Sequence, residues 1–244
     1  MNISKHQTEA YFYGNPKRIA DKILFIKRGA RLEEYKQHLT HVQEFGHVWH
    51  GVTGLIRGEE IAIIATGIGP SMVGDAVYAL DRPDSICLYS GTCGGLHEDL
   101  EIGDYFIADR AICGDGYAVH FGHSPLTEIS GHFRALGSLK TLIATRVDQV
   151  DYGTAFTTSS VVREVDADFW GVVSDKCRII EMAAAAFYAA ASATRKRAAA
   201  YFWVTDLPTR GKSFFETLAP KEIRTKQDRY DRSVTLDLEL LFSL

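Results

Sequence analysis

The chain has 244 residues, with 27 Lys and Arg against 31 Asp and Glu, a formal charge of -4 and 46% apolar side chains. That length suits one α/β domain spanning residues 1–244, and the composition is that of a folded globule. The short basic clusters "TRKR" and "KEIRTK" lie among acids, which argues against a nucleic-acid partner, and the small-apolar run "MAAAAFYAAASA" is shorter than the roughly 20 residues a membrane span needs.

In chain order, "AYFY" reads as a short strand, and "GNPKRIADKI" as a turn opening a helix with Pro16 just inside its start. Residues 31–44 read as a polar helix with an Ala/Leu/Tyr/Leu stripe. "VTGLIRGEEIAIIATGIG" reads as two strands around a Gly58–Glu59 turn. "PSMVGDAVYAL" is a helix, and "SICLYSG" and "GDYFIADRAI" are strands. Then come a helix in "GHFRALGSLKTLIAT", a strand in "DYGTAFTTSS", a short helix in "DADFWGVVS" and a long one in "EMAAAAFYAAASATRK". "AAAYFWVTD" is a strand, and an amphipathic helix runs from about Arg224 to Leu241. This alternation predicts a single α/β domain with a mixed, largely parallel central sheet flanked by helices. Cys87, Cys93, Cys113 and Cys177 show no metal-ligand spacing, so no metal is expected; reduced thiols and a cytoplasmic location are. The N-terminal segment has no apolar core of the signal-peptide kind.

Ligands of such sheets gather at the carboxyl ends of the strands. Five strand ends carry unusual chemistry: Gly14-Asn15-Pro16-Lys17-Arg18, Thr66-Gly67-Ile68-Gly69-Pro70-Ser71, Ser90-Gly91-Thr92-Cys93-Gly94-Gly95, Phe156-Thr157-Thr158-Ser159-Ser160 and Thr205-Asp206-Leu207-Pro208. Glycines there let backbone N–H groups approach an anion, and hydroxyls and Arg18 add donors. The dinucleotide fingerprint is incomplete, and neither a Walker loop nor a GxSxG elbow occurs.

The order of these motifs resembles the purine nucleoside phosphorylase/uridine phosphorylase superfamily over most of the chain. "GNPKR", "TGIGPS", "SGTCGGL", "GDYFIADRAI", "AVHFG", "IIEMAAAAFY" and "VTDLP" carry the resemblance together. It implies a twisted, partly barrel-like sheet and cleavage of an N-glycosidic bond, by phosphate in phosphorylases and by water in nucleosidases. Carried over by motif, Gly14, Arg18 and Thr92 would bind phosphate, and Asp206 would protonate a purine. Tyr89, Thr92, Cys93, Gly94, Val161, Glu181 and Met182 would line the nucleoside site, with Met182 under the sugar. His6 and His47 stand near positions that could complete a neighbouring subunit's site. The resemblance implies no cofactor beyond inorganic phosphate as co-substrate, and a homodimer or trimer of dimers.

Three positions depart from the family pattern. Ala183 stands where a sugar-binding glutamate is expected, Tyr89 where a strand arginine is, and Val161 where an aromatic would stack on the base. Loss of that glutamate removes two charge-assisted hydrogen bonds, each worth about 1.5–3 kcal/mol. Three readings stay open: a phosphorylase, most simply of purine nucleosides; a nucleosidase; or a nucleoside-binding protein without turnover. "VTDLPTRG" resembles a segment of AMP nucleosidases, where Lys17, Arg210 and Lys212 could meet a 5′-phosphate. Plainer roles compete throughout: Asp206 as a turn residue, Arg18 as a solvated helix residue, Glu181 as a helix cap, His120 as structural, and Trp49, Trp170 and Trp203 as core or interface.

Overall fold

The computed structural model describes residues 4–14, 19–166, 168, 169, 173 and 175–244. The first element corrects the sequence reading. Residues Lys5–Tyr13 form a helix, α1, not a strand. Ser4 and Gln7 close a capping box at its start, and Gly14 ends it in the left-handed region at φ 73°. The first strand comes later, as β1 (Lys22–Ile26), where a helix was expected. Its continuous run Ile-Leu-Phe-Ile is buried on both faces, as a central parallel strand requires. Only Leu32–Lys36 (α2) is helical in the segment read as one long helix, because Thr40–Gly46 turns into an edge strand, β2.

The remaining elements follow the expected order, with two short strands added. They are β3 (His50–Ile56), β4 (Glu59–Ala65), α3 (Pro70–Ala79), β5 (Ile86–Gly95), β6 (Tyr105–Cys113) and β7 (Glu128–Ser130). Then come α4 (Phe133–Ile143), β8 (Val150–Thr157), β9 (Ile179–Glu181), α5 (Ala184–Ala193), β10 (Arg197–Asp206) and α6 (Pro220–Ser243). The sequence reading did not include β7 and β9, the second ending at Glu181, where the long helix was expected to begin. The helix expected in "DADFWGVVS", with Trp170, lies mostly outside the described residues. Trp49 and Trp203 are core residues.

The strands form one mixed sheet that closes on itself. β5 pairs with β10 in parallel, β10 with β6 antiparallel, β6 with β8 and β8 with β9 in parallel, and β9 returns antiparallel to β5. β1 also runs parallel to β5, followed outward by β4, β3 and β2. Thus β4, β1, β5 and β10 point their carboxyl ends to one rim.

Both faces of this sheet are covered. Phe25, Cys87, Tyr89, Phe202 and Val204 face α3 and α5, whereas Leu24, Leu88, Tyr201 and Trp203 face α4 and α6. The alternation along each strand sorts neighbours to opposite sides. Ala184, Ala185, Ala186, Ala189, Ala190 and Ala191 of α5 are all but inaccessible and let the helix lie close to the sheet.

One side chain completes the barrel. The antiparallel β6–β10 register ends at Tyr201 opposite Ile107, so Ala200 and Ala108 would be the next pair. There the Tyr188 hydroxyl of α5 takes their place, accepting from the Ala200 N–H at 3.0 Å and donating to the Ala108 carbonyl. Tyr188→Phe leaves two buried backbone groups without a partner, at a cost of about 1–3 kcal/mol. Thermal unfolding of that variant should show a melting temperature lower by roughly 2–10 °C; an unchanged value would remove this seam role.

Candidate active site

A cavity of about 640 Å³ opens at the rim, between the strand ends and α6. Its floor is Ser90, Gly91 and Thr92 of β5 with Trp203 and Thr205 of β10. One wall is the loop leaving β1, with Lys27, Arg28 and Arg31; α6 and the segment before it, residues 214–218, form the roof, with Lys226 and Tyr230. Ile26 pairs with Ser90, so Lys27 comes next, alongside Gly91 and Thr92. The loop after the first strand is therefore Lys27–Arg31. Gly14 instead caps α1 and packs on the Gly46 carbonyl, outside this cavity. Arg18 lies outside the described residues, as does Lys17.

The cavity is rich in cations with unequal engagement. Arg31 is held: its guanidinium donates to Glu34 Oε2 at 2.7 Å and Ser233 Oγ at 2.6 Å, and sits 4.0 Å from the centre of the Tyr230 ring. Lys27, Arg28 and Lys226 make no ion pair among the described residues. Lys27 Nζ donates to Thr92 Oγ1. Burial, and then the neighbouring charge of Arg28, lower the Lys27 ammonium pKa to about 8, while Cys93 and Asp206 oppose the change.

Asp206 ends β10 opposite Gly94, after a register shift around Thr205. It is 1% exposed, and burial pushes its carboxyl up to about 6 despite Thr205, Lys226 and Lys27. Thr205 Oγ1 lies 2.8 Å from Asp206 Oδ1 and 3.2 Å from the Cys93 carbonyl. One hydroxyl hydrogen cannot serve both acceptors. The Thr205 hydroxyl donates to Asp206 Oδ1, a contact that works against the burial-driven rise in the carboxyl's pKa. Asp206 Oδ2 has no hydrogen-bond partner among the described residues.

The inner end of the cavity is a buried hydrogen-bonded cluster. Asp237 of α6 accepts from the Tyr35 and Tyr201 hydroxyls, and burial raises its pKa.

Asp206 does not itself line the cavity, though its neighbour Thr205 does, and the other expected residues apart from Thr92 also lie away from this space. Tyr89 faces α5, stacked between Phe187 and Phe202, because it stands on the opposite face of β5 from Ser90 and Thr92. Cys93 is buried on that same side. Gly94 is required by packing: a Cβ there would stand 3.0 Å from Ile180 and 3.1 Å from Pro208. At Gly91 a Cβ would meet the Tyr89 and Phe202 rings at 2.8 and 2.9 Å. These glycines make room for neighbouring side chains, where the sequence suggested room for a ligand. Glu181 is buried; it accepts from Thr157 Oγ1 and from the Ala183 and Ala184 N–H groups, so its carboxylate caps α5, and burial pushes its pKa to about 7. Met182 and Val161 are partly buried beyond the cavity lining. Arg210 is tied to Glu101 at 3.0 Å and Lys212 to Glu222 at 2.6 Å. His6 is exposed, and His47 Nδ1 lies 2.7 Å from the Tyr11 carbonyl oxygen.

A family model described as the phosphorylase superfamily matches residues 23–234. This chain belongs to that superfamily. Its members are nucleoside phosphorylases or nucleosidases. The chain is 31% identical over 98 residues to a 5′-methylthioadenosine/S-adenosylhomocysteine nucleosidase of Listeria welshimeri, covering 38% of this chain and 41% of that protein. The chain thus aligns with less than half the length of that relative. It is 26% identical over 161 residues to a DeoD-type purine nucleoside phosphorylase of Brevibacillus brevis, covering 64% and 67%. Its fold matches uridine phosphorylase of Vibrio fischeri with a TM-score of 0.79 at 13% identity, over 92% of this chain and 91% of that one. Purine nucleoside phosphorylase of Toxoplasma gondii, in complex with immucillin-H, gives 0.76 at 16%, over 92% and 91%.

Lys27, Arg31 and Lys226 were not singled out from sequence. The signal was present at the first two: a buried apolar run followed directly by Lys-Arg-Gly-Ala-Arg.

The raised Asp206 pKa has a consequence for stability. The unfolded carboxyl ionises near its ordinary 3.8 and the folded one near 6, so the folded chain holds the proton more tightly. That contribution is full below about pH 4 and is lost as pH rises through 6. Asp206→Asn should therefore raise the melting temperature by a few degrees at pH 8 and leave it unchanged at pH 4. Equal shifts at both pH values would contradict the buried acid.

Proposed function

We propose that the chain cleaves the N-glycosidic bond of a purine nucleoside with inorganic phosphate, releasing free base and sugar 1-phosphate. The observation that carries this reading is the meeting, at one rim, of Lys27, Arg28 and Lys226, without an ion pair among the described residues, with the buried Asp206 carboxyl, whose pKa is raised to about 6. An anion fits beside Lys27, Thr92 and Lys226. Asp206, buried behind the cavity-lining Thr205 and not itself in the lining, is the acid that would protonate the leaving base.

In the reaction a phosphate oxygen bonds to the anomeric carbon as the carbon–nitrogen bond breaks. The bond electrons leave with the base, and the Asp206 proton moves to a base nitrogen. The proton displaced from the phosphate ester then restores Asp206. Ala183 offers the sugar no carboxylate, so recognition rests more on base and phosphate.

Water as the attacking group is the competing reading. The Listeria similarity favours it, as does Tyr89, which brings no charge to the cavity.

Incubation with purine and pyrimidine nucleosides and AMP, with and without phosphate, separates the two. Phosphate-dependent release of purine base with sugar 1-phosphate is expected; release of free sugar regardless of phosphate would establish hydrolysis, and no release from any nucleoside would reject both. Asp206→Asn should lower purine turnover by about 100-fold or more. Wild-type kcat/KM should fall as pH rises above about 6, following loss of the Asp206 proton in the free protein, and the variant should lose that limb.

A further inference from the structure

Given the anion-binding part of the reading above, on which this rests, we propose that Asp237 of α6 is a positioning residue: through Tyr35 it fixes the loop that carries Lys27 to the rim. Three observations carry it. First, the carboxylate stands where β1 ends. Ile26, Ser90 and Tyr201 share one register row across β1, β5 and β10, and Ile26 is the last residue of its strand. Asp237 is 1% exposed; it accepts from the Tyr201 hydroxyl on one oxygen and from the Tyr35 hydroxyl on the other, and Ser90 bonds to it as well. One buried side chain of α6 thus meets β5, β10 and α2 together.

Second, α6 repeats its contacts toward α2. Tyr230, Ser233 and Asp237 are spaced three and four apart, so they lie on one face of the helix. Arg31 donates to Ser233 Oγ at 2.6 Å and to the Tyr230 carbonyl at 3.2 Å, and Tyr35, four residues on, meets Asp237. Holding α6 on the sheet needs only Tyr201 and Ser90. The Tyr35 bond is the one that reaches the chain leaving β1.

Third, these ties bracket Lys27. Residues 27–30 run between Ile26, paired in the sheet, and Arg31, tied to α6. Gly29 and Ala30 carry no polar side chain, so the loop takes its place from its two ends. One end is set by β-pairing and the other by the Arg31 and Tyr35 contacts with α6.

The test sets Tyr35→Phe against Tyr201→Phe. The first cuts the tie from α2 to Asp237 and leaves those from β5 and β10; the second cuts the tie from β10 and leaves that from α2. Both phenols are 1% exposed, so the two variants should lose comparable amounts of melting temperature. Calorimetry with inorganic phosphate alone then reads the rim. Tyr35→Phe should weaken phosphate by about tenfold, as expected for one lost hydrogen bond to a charged group, and Tyr201→Phe by less than about twofold. Asp237→Asn, which keeps one acceptor oxygen, should fall between them. Phosphate affinity that simply follows melting temperature in the two phenol variants would overturn the assignment. Phosphate binding by the wild type without turnover of any nucleoside would remove the proposed reaction and leave this assignment standing. If the wild type binds no phosphate, the anion reading fails and hydrogen exchange decides Asp237. Tyr35→Phe should then speed exchange at residues 27–31 by about tenfold or more relative to Tyr201→Phe; equal rates in both end the proposal.

Discussion

β5 is hydrogen-bonded along both edges, and the rest of the molecule is arranged by that fact. On one edge it pairs with β10 nearly to its end; on the other it pairs first with β1 and then with β9. A strand shared in this way belongs to an open sheet at its start and to a closed barrel at its finish. β1 must stop where β9 takes over, and its chain leaves the sheet beside Thr92. Residues distant in sequence, Lys27, Thr92 and Asp206, reach one rim for that reason.

The electrostatics follow from the same burial. Desolvation disfavours charge of either sign. It drives the Lys27 ammonium down and the Asp206 carboxyl up, each toward neutrality. Held apart, both would be costly; side by side, each partly restrains the other's shift. An anion entering the cavity favours the charged lysine and the protonated acid at once. On the proposed reading, a bound phosphate would favour the protonated acid through the same change in local potential.

Much of the architecture was legible in the sequence because long segments had unambiguous period. β4, β5, β6 and β10 carry continuous apolar or β-branched runs, and α3 opens on Gly69-Pro70, a strong start signal. Asp206 and Thr92 were singled out because they stand near the carboxyl ends of such strands. The start of the chain was misread. "AYFY" has strand composition, but the Ser4–Gln7 box and Gly14 decide its helix, and these are local hydrogen-bond signals weaker than composition. That error moved the first loop to Gly14 and hid Lys27. The glycines of "SGTCGG" misled differently: what fills the space beside Gly91 and Gly94 is Tyr89, Phe202, Ile180 and Pro208, and only tertiary packing reveals it. Glu181 showed both possibilities in sequence, and its two oxygens are engaged by α5 and Thr157.

The Tyr188 phenol sets a mechanical limit on this enzyme fold. Because one oxygen joins β6 to β10, those strands cannot spread without also dragging α5. The barrel side of the rim is in effect clamped to a helix that is itself wedged against α3. On the proposed reading, an opening movement would fall to the opposite bank, where α6 and the stretch leading into it lie over the cavity.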